Sequence, residues 1–153
     1  MNEKDIIKKL KNKDIRAVAR LLTLIENEDK KAEKILKEIW KSTGDSYIIG
    51  VTGPPGAGKS TIVDLLSKIA LKKGHKIGVL AVDPTSPFSG GAVLGDRLRM
   101  TSSQDTGIFI RSVASRGHLG GLAATTRYMI NAIEMLGNDL TLVETVGAGQ
   151  GDV

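Results

Sequence analysis

Apolar residues recur at helical spacing in the first part of the chain and form short continuous runs in the second. Up to Gly44 they lie three and four residues apart, which predicts three helices, each with one apolar stripe. Asp14 is the predicted N-cap of the second helix, and Gly44 is predicted to end the third. We expect these helices to pack within the chain, because a single apolar stripe must be covered. The three stripes are Ile6, Ile7 and Leu10; Ile15, Val18, Ala19, Leu22 and Ile25; and Ala32, Ile35, Leu36, Ile39 and Trp40.

After Tyr47 the pattern changes to short β-branched runs that alternate with helical spacing. Helices are predicted through residues 62–69, ending near Gly74, and 122–133, ending at Gly137, with a short one around 96–101. Strands that are apolar throughout and alternate with helices indicate an α/β fold, with a parallel sheet covered on both faces. The predicted strands are residues 48–52, 77–82, 108–113 and 140–143.

Composition and charge narrow the possible functions. The chain has 153 residues, no cysteine and two histidines, which excludes disulfide scaffolds, thiol nucleophiles and cysteine-based metal sites. The net charge of +5 comes with interspersed acidic and basic residues over 1–46, which is typical of solvated helix faces. The five aromatic residues form no cluster suited to stacking bases. We therefore expect no nucleic-acid partner, no membrane segment and a cytoplasmic location.

The strongest motif is a glycine-rich phosphate loop of the GxxxxGKS type. It lies between a predicted strand and a predicted helix, which is the structural context that the motif requires. Its glycines let backbone N–H groups surround phosphate oxygens, and the following helix adds its positive N-terminal end. Lys59 would neutralise the β- and γ-phosphates, and the Ser60 hydroxyl would coordinate Mg²⁺. The motif consists of Gly53, Pro54, Pro55, Gly56, Ala57, Gly58, Lys59, Ser60 and Thr61.

Three carboxylates lie where a magnesium site would need them. Asp83 directly follows the second predicted strand, Asp96 ends a glycine-rich loop, and Glu144 ends the fourth strand. Carboxyl ends of parallel strands share one edge of the sheet, so Asp83 and Glu144 should face the same crevice as the phosphate loop. We expect at least two of the three to reach the metal, directly or through water.

Two segments are candidates for switches that respond to the nucleotide. Gly147, just past Glu144, would place its N–H on the γ-phosphate, and residues 85–95 form the other candidate. For both segments, an ordinary mobile loop is the alternative. Four arginines would either clamp phosphate or a partner, or lie solvated at the surface. They are Arg97, Arg99, Arg111 and Arg116.

Together these motifs resemble the methylmalonyl-CoA mutase-associated GTPases, a family formerly known as arginine/ornithine transport-system ATPases. The resemblance runs from Asp14 to the last residue. It depends on the phosphate loop, on residues 82–87 with 89–91 and 94–96, on residues 115–117 with 119–121, and on residues 144–150. A generic kinase would share only the first of these.

The resemblance implies a P-loop GTPase with GTP, GDP and Mg²⁺ as ligands. Such a protein would escort an adenosylcobalamin-dependent mutase, couple its nucleotide state to cofactor loading and protection of the mutase, and usually form a homodimer. By motif, Ser60, Asp83, Asp96 and Glu144 would hold or approach Mg²⁺. Lys59, Glu144, Gly147 and Gln150 would form the catalytic set, with Gln150 a candidate for orienting water.

The chain departs from the family pattern in one respect. The family's guanine-reading Asn-Lys-x-Asp motif does not occur in it. We therefore expect residues 47–153 to be an incomplete P-loop domain, with a doubly wound, mainly parallel sheet. Residues 1–46 are expected to be a helical arm. The resemblance favours a GTPase chaperone. The alternatives are a P-loop ATPase or small-molecule kinase, and a truncated binding module that does not turn nucleotide over.

Overall fold

A computed structural model describes residues 2–54, 56–83, 107–114 and 121–145. Three helices come first: α1 (Glu3–Lys11), α2 (Ile15–Glu26) and α3 (Lys30–Ile39), followed by a 3₁₀ turn (Trp40–Ser42). Then come β1 (Tyr47–Val51), α4 (Lys59–Lys72), β2 (Ile77–Asp83), β3 (Ile108–Ala114), α5 (Gly121–Glu134) and β4 (Leu140–Thr145). The helix predicted around residues 96–101 lies outside the described ranges.

The described strands form one parallel sheet in the order β1-β4-β2-β3. This confirms the predicted fold class, since both faces of the sheet are covered by helices. The last strand in sequence, β4, lies between the first two. Its Glu144 is aligned with Val51 of β1 and with Ala81 of β2. β4 runs to Thr145, so Glu144, predicted to end the strand, is its second-to-last residue.

Side-chain caps start the first three helices. The Asp14 carboxylate accepts a hydrogen bond from the N–H of Ala17 at 2.8 Å, which confirms the predicted N-cap. Asn2 and Asp29 cap α1 and α3 in the same way. These caps satisfy N–H groups that have no partner within the helix, and so they locate each helix start from local sequence alone.

The end of α3 differs from the prediction. The helix stops at Ile39, and the chain makes a 3₁₀ turn before Gly44, whose φ is +106°. Gly44 is therefore not the residue that ends the helix. Trp40, assigned by spacing to the apolar stripe, is 53% exposed. Helical spacing continued into a turn that no longer faces the core, and this explains both errors.

Two apolar cores lie on opposite faces of the sheet. The larger core joins the stripes of α1, α2 and α3 to α5 and to one face of β2, β3 and β4. The smaller core joins α4 to the other face. The arm helices therefore pack within the chain, as predicted, and α2 and α3 both contact α5.

No helix in the described ranges combines the length and apolar character needed to cross a membrane.

Candidate functional site

The phosphate loop connects the end of β1 to the start of α4. Gly53, Gly56 and Gly58 all have positive φ, at 151°, 77° and 82°. Residues with a Cβ rarely adopt such angles, so the loop requires glycine at these positions. Gly58 is also the N-cap residue of α4 and supplies no side-chain acceptor to the helix. No side chain caps the first N–H groups of α4, which are the groups that bind anions at a helix N-terminus. Pro55 lies outside the described residues.

Lys59 begins α4 and folds back over the loop. Its Nζ donates hydrogen bonds to the carbonyl oxygens of Gly53 and Pro54, both at 2.8 Å. The residue is only 8% exposed. A buried ammonium needs such partners, because desolvating an unpaired charge is costly. The loop therefore holds a cation against its own carbonyl groups.

Ser60, also in the first turn of α4, meets Glu144 of β4. The Ser60 Oγ donates to the Glu144 Oε1 at 2.6 Å, across 84 residues of sequence, and Glu144 is 3% exposed. The sheet order produces this contact, because β4 lies directly beside the strand that leads into the loop. A hydroxyl and a carboxylate oxygen are the hard donors that Mg²⁺ prefers, so this pair fits the ion. Within the described residues no three His, Cys, Asp or Glu side chains cluster around one point.

The other predicted site residues are placed only in part. Asp83 is the last residue of β2, and its backbone pairs with Ala114 at the carboxyl edge of the sheet. It lies two positions further along β2 than Ala81, the residue aligned with Glu144. Asp96, Gly147 and Gln150 lie outside the described residues, and so do the switch segment 85–95 and Arg97, Arg99 and Arg116. Their roles stay predictions.

Sequence reasoning missed two polar residues beside the site. Asp64 and Ser67 of α4 line a cavity of about 180 Å³ together with Ser60 and Glu144. The wall opposite α4 consists of Val79, Ile108 and Ile110. The signal was present in the sequence, because Ser60, Asp64 and Ser67 are spaced four and three residues apart and so share one face of a helix.

Arg111 contacts the helical arm. Its Nη2 donates to the Glu26 Oε2 at 2.7 Å and lies 3.4 Å from the Thr23 Oγ1. Both partners are on α2, and the two charged side chains are mostly buried. Arg111 therefore neither clamps phosphate nor lies solvated at the surface. It lies on the sheet face that the arm covers and pairs with Glu26.

Comparisons with known proteins agree with this geometry. A family model described as methylmalonyl Co-A mutase-associated GTPase MeaB matches residues 18–153. A Pyrococcus abyssi protein is 55% identical over 97% of the chain, and GTPase ArgK of Escherichia coli is 38% identical over 95%. The mouse protein named methylmalonic aciduria type A homolog, mitochondrial, is 45% identical over 70% of the chain.

A solved structure has the same fold. The crystal structure of an LAO/AO transport system kinase superposes with a TM-score of 0.73 at 29% identity, and the match covers 98% of this chain. The chain spans 46% of that protein, and 46% of the Pyrococcus abyssi and Escherichia coli relatives. The family match, the fold and the phosphate loop agree: the chain belongs to the MeaB family of methylmalonyl-CoA mutase-associated GTPases.

Proposed function

We propose that this chain is the phosphate-binding part of a Mg²⁺-dependent GTPase that hydrolyses GTP to GDP and acts as a chaperone for an adenosylcobalamin-dependent methylmalonyl-CoA mutase. The observation that carries the nucleotide-binding part of the proposal is the hydrogen bond between Ser60 and Glu144 at the phosphate loop. A loop that only turned the chain would not need a buried carboxylate against the first turn of its helix.

The loop and Lys59 would bind the phosphates. The glycines allow the backbone N–H groups to face the anion, and the N-terminal end of α4 contributes a partial positive charge. The Lys59 ammonium would exchange the carbonyls of Gly53 and Pro54 for phosphate oxygens. Because the new partners carry negative charge, this exchange favours the bound state.

Ser60 and Glu144 would hold Mg²⁺, with Asp83 and Asp96 as further ligands, directly or through water. The ion, when bound, neutralises negative charge on the phosphate oxygens. Burial of Glu144 in the central strand fixes its carboxylate relative to the loop. The role of this chain's residues is therefore to position the triphosphate and keep its charge balanced.

The segment after Glu144 would sense the γ-phosphate. β4 stays regular through Thr145, so the segment begins from a buried, fixed strand. Gly147 would donate its N–H to the γ-phosphate, and Gln150 would orient the attacking water. Loss of the γ-phosphate would release the segment, which is how such switches report hydrolysis.

The mutase partner is proposed from the family name and from the resemblance in sequence. We propose residues 1–46 as a helical arm, residues 47–153 as the nucleotide-binding domain, and a homodimer as the functional assembly. The ion pair between Arg111 and Glu26 joins the domain to the arm, so a displacement of β3 would also displace α2.

Calorimetry with GTP and with ATP, each with Mg²⁺, tests nucleotide choice in this chain. We expect both nucleotides to bind through their phosphates, and Lys59→Ala to weaken binding at least about tenfold, because a charge-assisted contact is lost. Lys72→Ala is the matched control, since it removes an exposed lysine from the far end of the same helix. Tighter binding of ATP would contradict the GTPase assignment.

Phosphate release tests turnover separately. Release of phosphate from GTP above the level of the Lys59→Ala variant supports hydrolysis by this chain. Release no greater than that level, with binding intact, would identify a binding module without turnover.

A further inference from the structure

A cavity of about 270 Å³ lies at the edge of the sheet opposite the phosphate loop. We call it the amino-edge cavity, because residues at the amino ends of β2 and β3 line it together with the turn between α1 and α2 and the turn before β4. Nothing in the proposed nucleotide chemistry uses these residues. The cavity therefore needs an explanation of its own.

Lys13 stands at the centre of this region. It follows α1 in the left-handed conformation, with φ of 58°, and its N–H bonds to the Leu10 carbonyl at 2.9 Å. Glycine or asparagine usually occupies such a position, because a Cβ is strained there. The Lys13 Nζ packs onto Gly137: a Cβ built at that glycine would lie 2.7 Å from it. Gly137 and Lys13 also line a neighbouring cavity, so the Lys13 side chain lies at the border between the two cavities.

The lining combines positive charge with an apolar floor. Lys13 and Lys76 both line the cavity, and neither forms a salt bridge with any residue in the described ranges. Asn12 and Asn138 add amide groups, whereas Phe109, which is 5% exposed, belongs to the floor. Ile15 and Leu136 complete that floor.

The nearby carboxylates are already engaged elsewhere. Asp139 accepts a hydrogen bond from the Lys76 N–H at 2.7 Å and lies 3.8 Å from the His75 Nδ1. Glu134 accepts from the Gly44 N–H at 2.9 Å and lines a neighbouring cavity, not this one. The neighbouring cavity is lined by Lys11, Lys13, Asp45 and Glu134, so carboxylates offset its positive charge. No carboxylate lines the amino-edge cavity, so an anion is favoured there.

We propose that the amino-edge cavity binds a small organic anion, a carboxylate or phosphate ester with an apolar body. The anionic group would bind between the Lys13 and Lys76 ammonium groups, and the apolar part would cover Phe109. Charge-assisted hydrogen bonds give specificity for the head, and apolar burial supplies further affinity. This site lies at the opposite end of the strands from the phosphate loop, so it is separate from the nucleotide.

Titration of the isotope-labelled chain, followed by backbone amide NMR, tests the proposal. Benzoate and phenyl phosphate are the probes, and they separate a carboxylate site from a phosphate site. Benzyl alcohol and inorganic phosphate are the single-feature controls, each lacking the charge or the apolar body. We expect saturable shifts at Lys13, Lys76, Gly107 and Asn138 with at least one probe, and no saturable shifts at these four residues with either control.

Lys13→Gly is the informative variant, because glycine suits the left-handed position and should not lower stability. Glu28→Gly is its matched control: Glu28 also has a positive φ, of 53°, at the corresponding position after α2. We expect Lys13→Gly to weaken probe binding about tenfold or more and Glu28→Gly to leave it unchanged.

Equal binding by both variants would overturn the proposal, as would an absence of saturable shifts at the cavity in the wild-type chain. Shifts confined to residues 53–60 would mean that the probes bind the phosphate loop only, and this too would overturn it. Lys76→Gln provides a second test on an exposed position and should weaken binding in the same direction.

Discussion

A helix approaches the sheet very closely at Gly78 of β2. A Cβ built there would lie 2.5 Å from the Ile133 Cγ2 and 2.6 Å from the Asn138 Nδ2. Both neighbours are buried, and the Asn138 Nδ2 already donates to the Ile133 carbonyl at 3.2 Å. The Ile133 side chain is fully buried, and moving the Asn138 amide toward the amino-edge cavity would break its hydrogen bond. Gly78→Ala must therefore push α5 away from the sheet or break that bond.

The cost can be estimated from these two contacts. Adding a methyl group to a packed core costs about 1–3 kcal/mol. Weakening the Asn138 hydrogen bond in a buried setting adds about 1 kcal/mol. We expect Gly78→Ala to lower the free energy of unfolding by about 2–4 kcal/mol. Gly50→Ala in β1 is the matched control, because a Cβ there meets nothing within 4 Å. It should be neutral or stabilising by up to about 1 kcal/mol.

Urea unfolding followed by circular dichroism measures both variants. The slope against urea should stay constant, so that the midpoint reports stability. If Gly78→Ala lowers the free energy of unfolding by less than about 0.5 kcal/mol and so resembles Gly50→Ala, the close packing of α5 on β2 is refuted. Ile133→Ala removes the clashing Cγ2. It should therefore cost less in the Gly78→Ala background than in the wild type.

Three further predictions concern the arm. Asp14→Ala should lower the free energy of unfolding by about 1 kcal/mol, because the Ala17 N–H loses its acceptor, and Asp14→Asn should retain most of that stability in thermal melts. Ile35→Ala, at a fully buried position, should cost about 2–5 kcal/mol in urea unfolding, and a cost under 1 kcal/mol would contradict the arm core. A double-mutant cycle of Arg111→Met and Glu26→Gln should give a coupling free energy of about 1 kcal/mol that shrinks in 1 M salt. Zero coupling at low salt would contradict a stabilising ion pair between β3 and the arm.

Local structure and the chemistry of one loop follow from the amino-acid sequence alone. Periodicity placed every described helix and strand, with ends that differ by a few residues, because burial of one face imposes a regular spacing of apolar residues. In α4 it gave the helix but not its buried face, since Ile62, Leu65 and Ile69 are exposed and Val63, Ser67 and Ala70 are buried. Asp14 was identifiable as a cap, and the phosphate loop as a loop, because each depends on residues within a few positions. Errors arose where the helical spacing of apolar residues continued past the end of the helix, as at Trp40 and Gly44.

Which distant residues meet depends on the tertiary structure. The sheet order puts β4 between β1 and β2, and no local pattern specifies that order; it alone brings Glu144 against Ser60 across 84 residues. The same holds for Arg111, which joins the arm, and for Lys13, whose ammonium rests on Gly137. Local preferences act over one or two turns, whereas these contacts depend on how whole elements bury their apolar faces together. That packing, rather than any motif, forms the amino-edge cavity.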